Sequence, residues 1–217
     1  MEYRKLTREE WIKFATGLKY GDTIFVAAND LLGRAIQWGT EDNTGDGIQV
    51  AHVMSYEGLG IGQTREADGK KMCAKHLINE YMDRVMKGRA RMIVYRAKGG
   101  LKGAEETCIK SFWDLHEKED YNMLENVGFA IWGLINKVNR DLGAWVAKTF
   151  TNPFYNGKNM VCSQTELLKH KNSEPDGGRL YAPIVKDIAM DKLTPEEYLD
   201  RIPRTHDFVM DTETIDV

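Results

Sequence analysis

The chain has 217 residues, of which 42% are hydrophobic and 29% are charged, so it is long enough to bury a core of its own. Its formal charge of -3 and its pI near 6.0 argue against a general nucleic-acid-binding protein, because phosphate binding usually requires a basic excess or stripe. We therefore expect residues 1–217 to form one domain that has no nucleic-acid partner.

The N-terminal residues predict a helix that is followed by a strand. Thr7 precedes Glu10 by three residues, which is the spacing of a capping box. Residues 23–28 are apolar and β-branched enough for a strand. No continuous apolar stretch typical of a secretory signal opens the sequence, so we expect a cytoplasmic protein at synthesis. Apolar side chains recur at helical spacing after the cap, at Trp11, Phe14 and Leu18.

Residues 48–97 predict a hairpin, a helix and a further strand. Residues 48–58 end in a strand that begins near His52, and residues 59–67 form its hairpin partner. Residues 75–88 show helical spacing and close at a glycine, whereas residues 89–97 are strand-like.

Residues from about 104 to 159 predict a helical insertion. The apolar run from Val127 to Ile135 is shorter than the roughly 20 residues that cross a bilayer, so no transmembrane segment is expected. The pattern favours a core-packing helix, with a lid or a lipid-docking surface as the alternative. The apolar stripe comprises Leu124, Val127, Ile131, Trp132, Leu134, Ile135, Val138, Leu142, Trp145 and Val146.

The C-terminal third predicts strands, a short helix and a frayed tail. Residues 178–190 are interpreted as strands. Thr194 as N-cap, Pro195 in the first turn and Glu197 in a capping box predict a helix over residues 193–203. The acidic residues 211–217 are expected to fray.

Three cysteines are too few, and wrongly spaced, for a disulfide framework or a cysteine-rich zinc module. Cys73 and Cys108 are interpreted as small buried hydrophobic residues. Cys162 differs because it precedes a helical pattern, and a helix N-terminus and a neighbouring imidazolium both favour a reactive thiolate.

His52 is the histidine that best fits a partner for Cys162. It lies at a strand edge between apolar residues, where an imidazole is held rather than solvated. A third polar group normally fixes the tautomer of such a histidine. Glu66 on the partner strand is favoured over Glu57, which lies in the turn and is expected to be solvated. The other histidines are expected to be exposed or to lie in a polar tail: His76, His116, His170 and His206.

At these residues the sequence resembles the circularly permuted, NlpC-type papain-like cysteine hydrolases of the YiiX/YaeF-like group. The resemblance is an ordered series of short motifs over most of the chain. His52 and Glu66 precede Cys162, which is the permuted order, whereas the cysteine comes first in ordinary papain-like enzymes. The chain departs from the group's frequent Cys-Ser-Glu, because Gln164 follows Ser163. The series runs through Gly21 and Asp22, "LLGRAIQWGT", "AHV", "EA", "RMIVYR", Tyr121 and Asn122, "VCSQ" and "LTPEEYLDRIP".

The resemblance implies an α+β, permuted papain-like (NlpC-type) fold, in which a small antiparallel sheet or barrel packs against helices. It implies that Cys162 attacks an acyl carbon, His52 carries the proton and Glu66 orients His52, with no metal or organic cofactor. The Cys162 backbone N–H and the Tyr121 side chain would hold the oxyanion. The implied substrates are peptide amides such as those of bacterial cell wall, with lipid esters or thioesters as the second class.

Three alternatives remain beside this interpretation. The chain could be a binding or virion structural protein that keeps the fold, and the analogy with wall hydrolases suggests a phage-encoded protein. His52, Glu66 and Cys162 are also zinc-ligand types. The insertion could roof the active-site cleft, with Phe154 and Tyr155 near its mouth, or it could buttress the far side of the fold.

Overall fold

The structure is a computed structural model, and it describes residues 2–29, 49–58, 62–121, 131, 135, 138–149, 161–171 and 178–215. Its helices are α1 (Arg8–Gly17), α2 (Met82–Met86), α3 (Gly103–His116), α4 (Arg140–Thr149), α5 (Cys162–Leu168), α6 (Gly178–Val185) and α7 (Pro195–Arg201). Its strands are β1 (Thr23–Ala28), β2 (His52–Gly58), β3 (Gln63–Glu66), β4 (Ala74–Leu77), β5 (Ala90–Ala97) and β6 (His206–Asp211). Short 3₁₀ turns lie at Ile78–Tyr81, Met190–Lys192 and Ile202–Arg204.

The six strands form one open antiparallel sheet in the order β4-β3-β2-β1-β5-β6. Alternate side chains of the central strands point to opposite faces of the sheet. On one face Phe25, Val53 and Ile93 pack with the apolar sides of α5, α6 and α7. On the other face Ile24 and Met54 pack with α1 and α2. The class is α+β, as the sequence predicted, with helices on both faces of the sheet.

Several sequence predictions are confirmed at the element level. Thr7 Oγ1 accepts a hydrogen bond from the Glu10 N–H, and the Glu10 carboxylate accepts one from the Thr7 N–H, so the capping box is present. Strands β1, β2, β3 and β5 occur where their patterns lie. Thr194 caps α7 by accepting from the Glu197 N–H, with Pro195 at the first position.

Residues 75–88 are only partly helical, which corrects the prediction. Ala74–Leu77 is strand β4, which pairs along β3, and the helix α2 begins only at Met82. Pairing with the sheet edge competes with the helical spacing and wins over the first turn, because alternate residues of the strand exchange ladder hydrogen bonds with β3.

Residues 178–190 are not strands, because Gly178–Val185 is helix α6. Leu180 and Ile184 lie four residues apart and are both fully buried in the core. The β-branched and aromatic composition, with Pro183 inside the segment, concealed this helical face. Tertiary packing therefore outweighs local propensity here.

Residues 211–215 do not fray as expected, and residues 216–217 lie outside the described residues. His206–Asp211 is strand β6, which pairs with β5. The Thr212 side chain accepts from the Met92 N–H at 3.0 Å, and Glu213 accepts from the Arg4 N–H at 2.8 Å. These contacts fix the chain well beyond the last strand.

Part of the predicted insertion is present as α3 and α4. The third buried cluster joins α3, through Ile109 and Trp113, to Met72 and Cys73. Among the described members of the apolar stripe, Ile131, Val138, Leu142 and Trp145 are exposed, whereas Ile135 and Val146 are partly buried. No helix among the described residues combines the length and apolar character that spanning a bilayer requires.

Candidate active site

The candidate site lies at one end of the sheet, where strand pairing brings β2 and β3 together. His52 is the first residue of β2, and Glu66 is the last residue of β3, which runs antiparallel to β2. Cys162 is the first residue of α5, which packs against β2 and β3. The topology therefore collects three residues that are 14 and 96 positions apart along the chain.

Glu66 is held in a defined position beside His52. The Nε2 atom of His52 lies 2.8 Å from Oε2 of Glu66. The Tyr81 hydroxyl donates to the same oxygen at 2.7 Å, and the Thr64 hydroxyl donates to Oε1 at 3.2 Å. The carboxylate is buried, so these partners replace the water that it loses.

His52 and Glu66 each shift the pKa of the other toward its charged form. Burial alone would lower the pKa of His52, but interactions with the Cys162 sulfur and the Glu66 carboxylate outweigh it and raise the pKa to about 10. Burial would raise the pKa of Glu66, and the contacts with His52 and Tyr81 lower it instead. At neutral pH His52 is therefore protonated, and its charge lies against the Glu66 carboxylate.

Cys162 is buried, with 5% of its surface exposed, and the interaction of its sulfur with the His52 side chain contributes to the raised pKa of that histidine. The next two residues do not face the reacting atoms. Ser163 Oγ donates to the Leu193 carbonyl, and Gln164 Nε2 donates to the Met190 carbonyl. These bonds connect the first turn of α5 to the turn before α7, so they fix the position of Cys162.

Glu57, the alternative partner of His52, lies elsewhere and is not solvated as expected. It is 6% exposed, and it accepts hydrogen bonds from Arg65 Nε at 2.6 Å and Arg65 Nη2 at 3.2 Å. Arg65 is itself buried and also contacts Glu117. Glu57 thus belongs to an ion-pair network that ties β2 and β3 to the end of α3.

Of the remaining predicted site residues, Tyr121 is the one that lies within the described part of the chain. Tyr121 is partly buried and packs against the core cluster that includes Cys162, and its backbone N–H donates to the Lys70 carbonyl. Phe154 and Tyr155, which were expected near the cleft mouth, lie outside the described residues. The roof and buttress alternatives for the insertion both remain predictions.

Tyr81 and Thr64 are site residues that the sequence interpretation missed. Thr64 could have been found, because it lies two residues before Glu66 and therefore on the same side of β3. Tyr81 comes from the 3₁₀ turn after β4 and carried no comparable signal. Its place depends on the strand pairing that the helical interpretation of residues 75–88 had hidden.

A buried ionic cluster fixes α5 to the sheet beneath the site. Glu166 accepts hydrogen bonds from the Thr23 hydroxyl at 2.8 Å and the Ser55 hydroxyl at 2.5 Å. The Lys169 ammonium contacts both Glu166 and Ser55 and is completely buried. Burial lowers the pKa of Lys169, against the favourable effect of Glu166.

Two histidines expected to be solvated are in the core. His170 and His206 are 0% and 1% exposed, and their ring centres are 5.8 Å apart. Burial, followed by the nearby charge of Lys169, lowers the pKa of His206 to about 3 and the pKa of His170 well below its usual value. Both rings are neutral in the folded protein.

Cys73 and Cys108 were both predicted to be buried hydrophobic residues. Cys73 is buried as predicted, whereas Cys108 is only partly buried.

No group of three or more His, Cys, Asp and Glu side chains within the described ranges is arranged to hold a metal ion.

No protein-family model matches the sequence, and no curated protein matches it significantly. A solved structure with a similar fold is the crystal structure of metalloprotein YiiX from Escherichia coli O157:H7, DUF1105. It shares 14% sequence identity with a TM-score of 0.46, covering 87% of this chain and 86% of that chain.

Proposed function

We propose that the protein is a cysteine hydrolase that cleaves an amide bond in a peptide or cell-wall peptide. The single observation that carries the proposal is the contact of His52 Nε2 with Glu66 Oε2 at 2.8 Å, made by a histidine whose pKa the Cys162 sulfur also raises. In this arrangement the thiol is the nucleophile and the imidazole is its general base. The carboxylate orients the imidazole.

In the acylation step, Cys162 Sγ attacks the carbonyl carbon of the substrate and forms a C–S bond. The C–N bond breaks, and His52 gives its proton to the leaving amine. A protonated imidazole beside a thiol favours the thiolate, which is the attacking species. Glu66, held by Tyr81, keeps the imidazole in place throughout this step.

In the deacylation step, water attacks the thioester while His52 takes its proton, and the C–S bond breaks to release the acid. The acylated sulfur no longer supplies the interactions that raise the pKa of His52, whereas burial still lowers it. The pKa of His52 therefore falls when the thioester forms. The same side chain serves as acid in the first step and as base in the second.

The test is hydrolysis of a panel of peptide amides, acyl esters and acyl thioesters by the wild-type chain, Cys162→Ala and His52→Ala. We expect amide cleavage that falls by about 10³-fold or more in Cys162→Ala and that a metal chelator leaves unchanged. Cleavage that survives in Cys162→Ala would refute the proposal. Cleavage of esters or thioesters alone would assign the site to lipid acyl hydrolysis or acyl transfer.

A further inference from the structure

A second concave surface lies beside the candidate site, where α2 leads into β5. It is an open cleft of about 800 Å³, and we call it the basic cleft. Its lining includes four cationic side chains and one acidic side chain: Lys5, Arg84, Lys87, Arg89 and Glu2.

The charge of the basic cleft differs from that of the whole chain, which is -3. Lys87 is offset by Asp83, whose carboxylate lies 2.6 Å away. Within the part of the chain that the structure describes, neither Lys5 nor Arg89 takes part in a side-chain ion pair. Cations gathered in a concave surface focus a positive potential, which attracts an anion.

The cleft lies at the same end of the sheet as His52. Val26 of β1 pairs with His52, and the Asn29 N–H, three residues further along, donates to the Arg89 carbonyl at 2.8 Å. Three residues of extended chain span about 10 Å. The Asn29 end of the cleft therefore lies that far along the chain from the position that pairs with His52.

A direct chain of contacts also links the cleft to the site. The guanidinium carbon of Arg84 lies 5.8 Å from the centre of the Tyr81 ring. The Tyr81 hydroxyl donates to Glu66, which holds His52. One wall of the cleft is thus built on the residue that positions the proposed general base.

We propose that the basic cleft binds an anionic group of the acyl substrate, either a phosphate or a carboxylate, at the same end of the sheet as the bond that is cleaved. The inference rests on the proposed function for its choice of substrate, because it makes the ligand part of the molecule that Cys162 attacks. Arginine and lysine together suit such oxygen anions, since the guanidinium group can bind two oxygens and the ammonium group adds a point charge.

The test is calorimetric binding to the full chain carrying Cys162→Ala, which prevents turnover. The carboxylate arm uses N-octanoyl-diglycine and its C-terminal amide, and the phosphate arm uses dihexanoyl phosphatidate and dihexanoylglycerol. We expect one anionic probe to bind about tenfold more tightly than its neutral partner. The arm in which this difference occurs identifies the chemical source of the anion.

Charge-reversal variants locate the binding. Lys5→Glu with Arg89→Glu should weaken the anionic probe by about tenfold or more, and Lys5→Gln with Arg89→Gln should weaken it by a smaller factor. Lys110→Glu with Lys186→Glu changes the net charge equally at exposed sites outside the cleft and should change affinity by about twofold or less.

Equal affinity in the cleft and control variants, or no preference for either anionic probe, would overturn the inference. A different result is that the cleft variants lose anion binding while the wild-type chain hydrolyses no panel substrate. That result would retain the cleft as an anion site and refute the proposed function. Because the binding assay does not depend on turnover, the two failures are distinguishable.

Discussion

At the scale of single residues, the Glu66 carboxylate is held beside His52 by the hydroxyls of Tyr81 and Thr64. Hairpin pairing of residues 48–67 was sufficient to put Glu66 near His52. The solvation of Glu57 was predicted wrongly, because the buried Arg65 that neutralises it depends on packing against α3. Glu57 lies within β2 rather than in the turn, and only the tertiary arrangement shows that it is buried.

Glu66→Gln should lower turnover, whereas Glu57→Gln should lower the free energy of unfolding. Glu66→Gln removes the charge that stabilises protonated His52, so turnover of the best panel substrate should fall by more than about tenfold while the fold persists. Glu57→Gln weakens a buried ion pair and should lower the free energy of unfolding by about 1–3 kcal/mol, with turnover of the folded enzyme retained. Steady-state kinetics and urea unfolding of both variants check the prediction, which the reverse ranking would contradict.

The titration of His52 provides a second test at this scale. Its pKa is raised to about 10, so its protonated form stabilises the fold fully below pH 6.5, and this stabilisation is lost as the pH rises toward 10. In Cys162→Ala the pKa of His52 should be lower than in the wild type. An NMR titration of the His52 ring in both proteins measures the difference, and identical titration curves would show that Cys162 does not interact with it.

At the scale of elements, helix α5 has the most specific role, since it carries Cys162 and is fixed to the sheet by the Glu166–Lys169 cluster. The sequence indicated a helix after Cys162 but gave no indication of this cluster. Glu166 and Lys169 lie three residues apart, which resembles an ordinary exposed ion pair on a helix. Their burial follows from the contacts of α5 with Thr23 of β1 and Ser55 of β2.

Lys169→Met should destabilise the fold strongly, because it leaves the buried Glu166 carboxylate without its cation. We expect a loss of about 3–5 kcal/mol in the free energy of unfolding, measured in urea. Lys87→Met is the matched control, since the Lys87–Asp83 pair is exposed and should contribute less than about 1 kcal/mol. The double change Glu166→Gln with Lys169→Met should recover part of the loss. Equal effects of the two single changes would mean that the cluster does not hold α5.

At the scale of the whole molecule, the fold class, most of the sheet and helix α7 could be predicted, whereas strand β6 and helix α6 could not. Strand β6 and helix α6 depend on contacts with distant partners, such as Thr212 with Met92 and Ile184 with the central core. The burial of His170 and His206 has the same origin. His170 follows Lys169 in a charged segment, and only the approach of β6 to the end of α5 removes both imidazoles from water.

This buried histidine pair predicts acid sensitivity of the whole fold. Both rings are neutral when folded, and both can bind a proton when unfolded, so stability is lost as the pH falls below about 6.5. Each histidine should contribute a slope of about 1.4 kcal/mol per pH unit, which for His206 continues toward its folded pKa of about 3. Urea unfolding between pH 7 and pH 5 should therefore show a shallower pH dependence in His206→Gln. The same slope in both proteins would contradict the prediction.

The central claim is that His52 activates Cys162, and the rate of Cys162 alkylation by iodoacetamide at pH 6.5 tests it most directly. Mass spectrometry follows each cysteine separately, so the partly buried Cys108 is an internal reference in the same sample. We expect Cys162 to react about tenfold or more faster than Cys108, and we expect His52→Ala to abolish the difference while leaving Cys108 unchanged. A Cys162 rate that is equal in the wild type and His52→Ala would contradict the account.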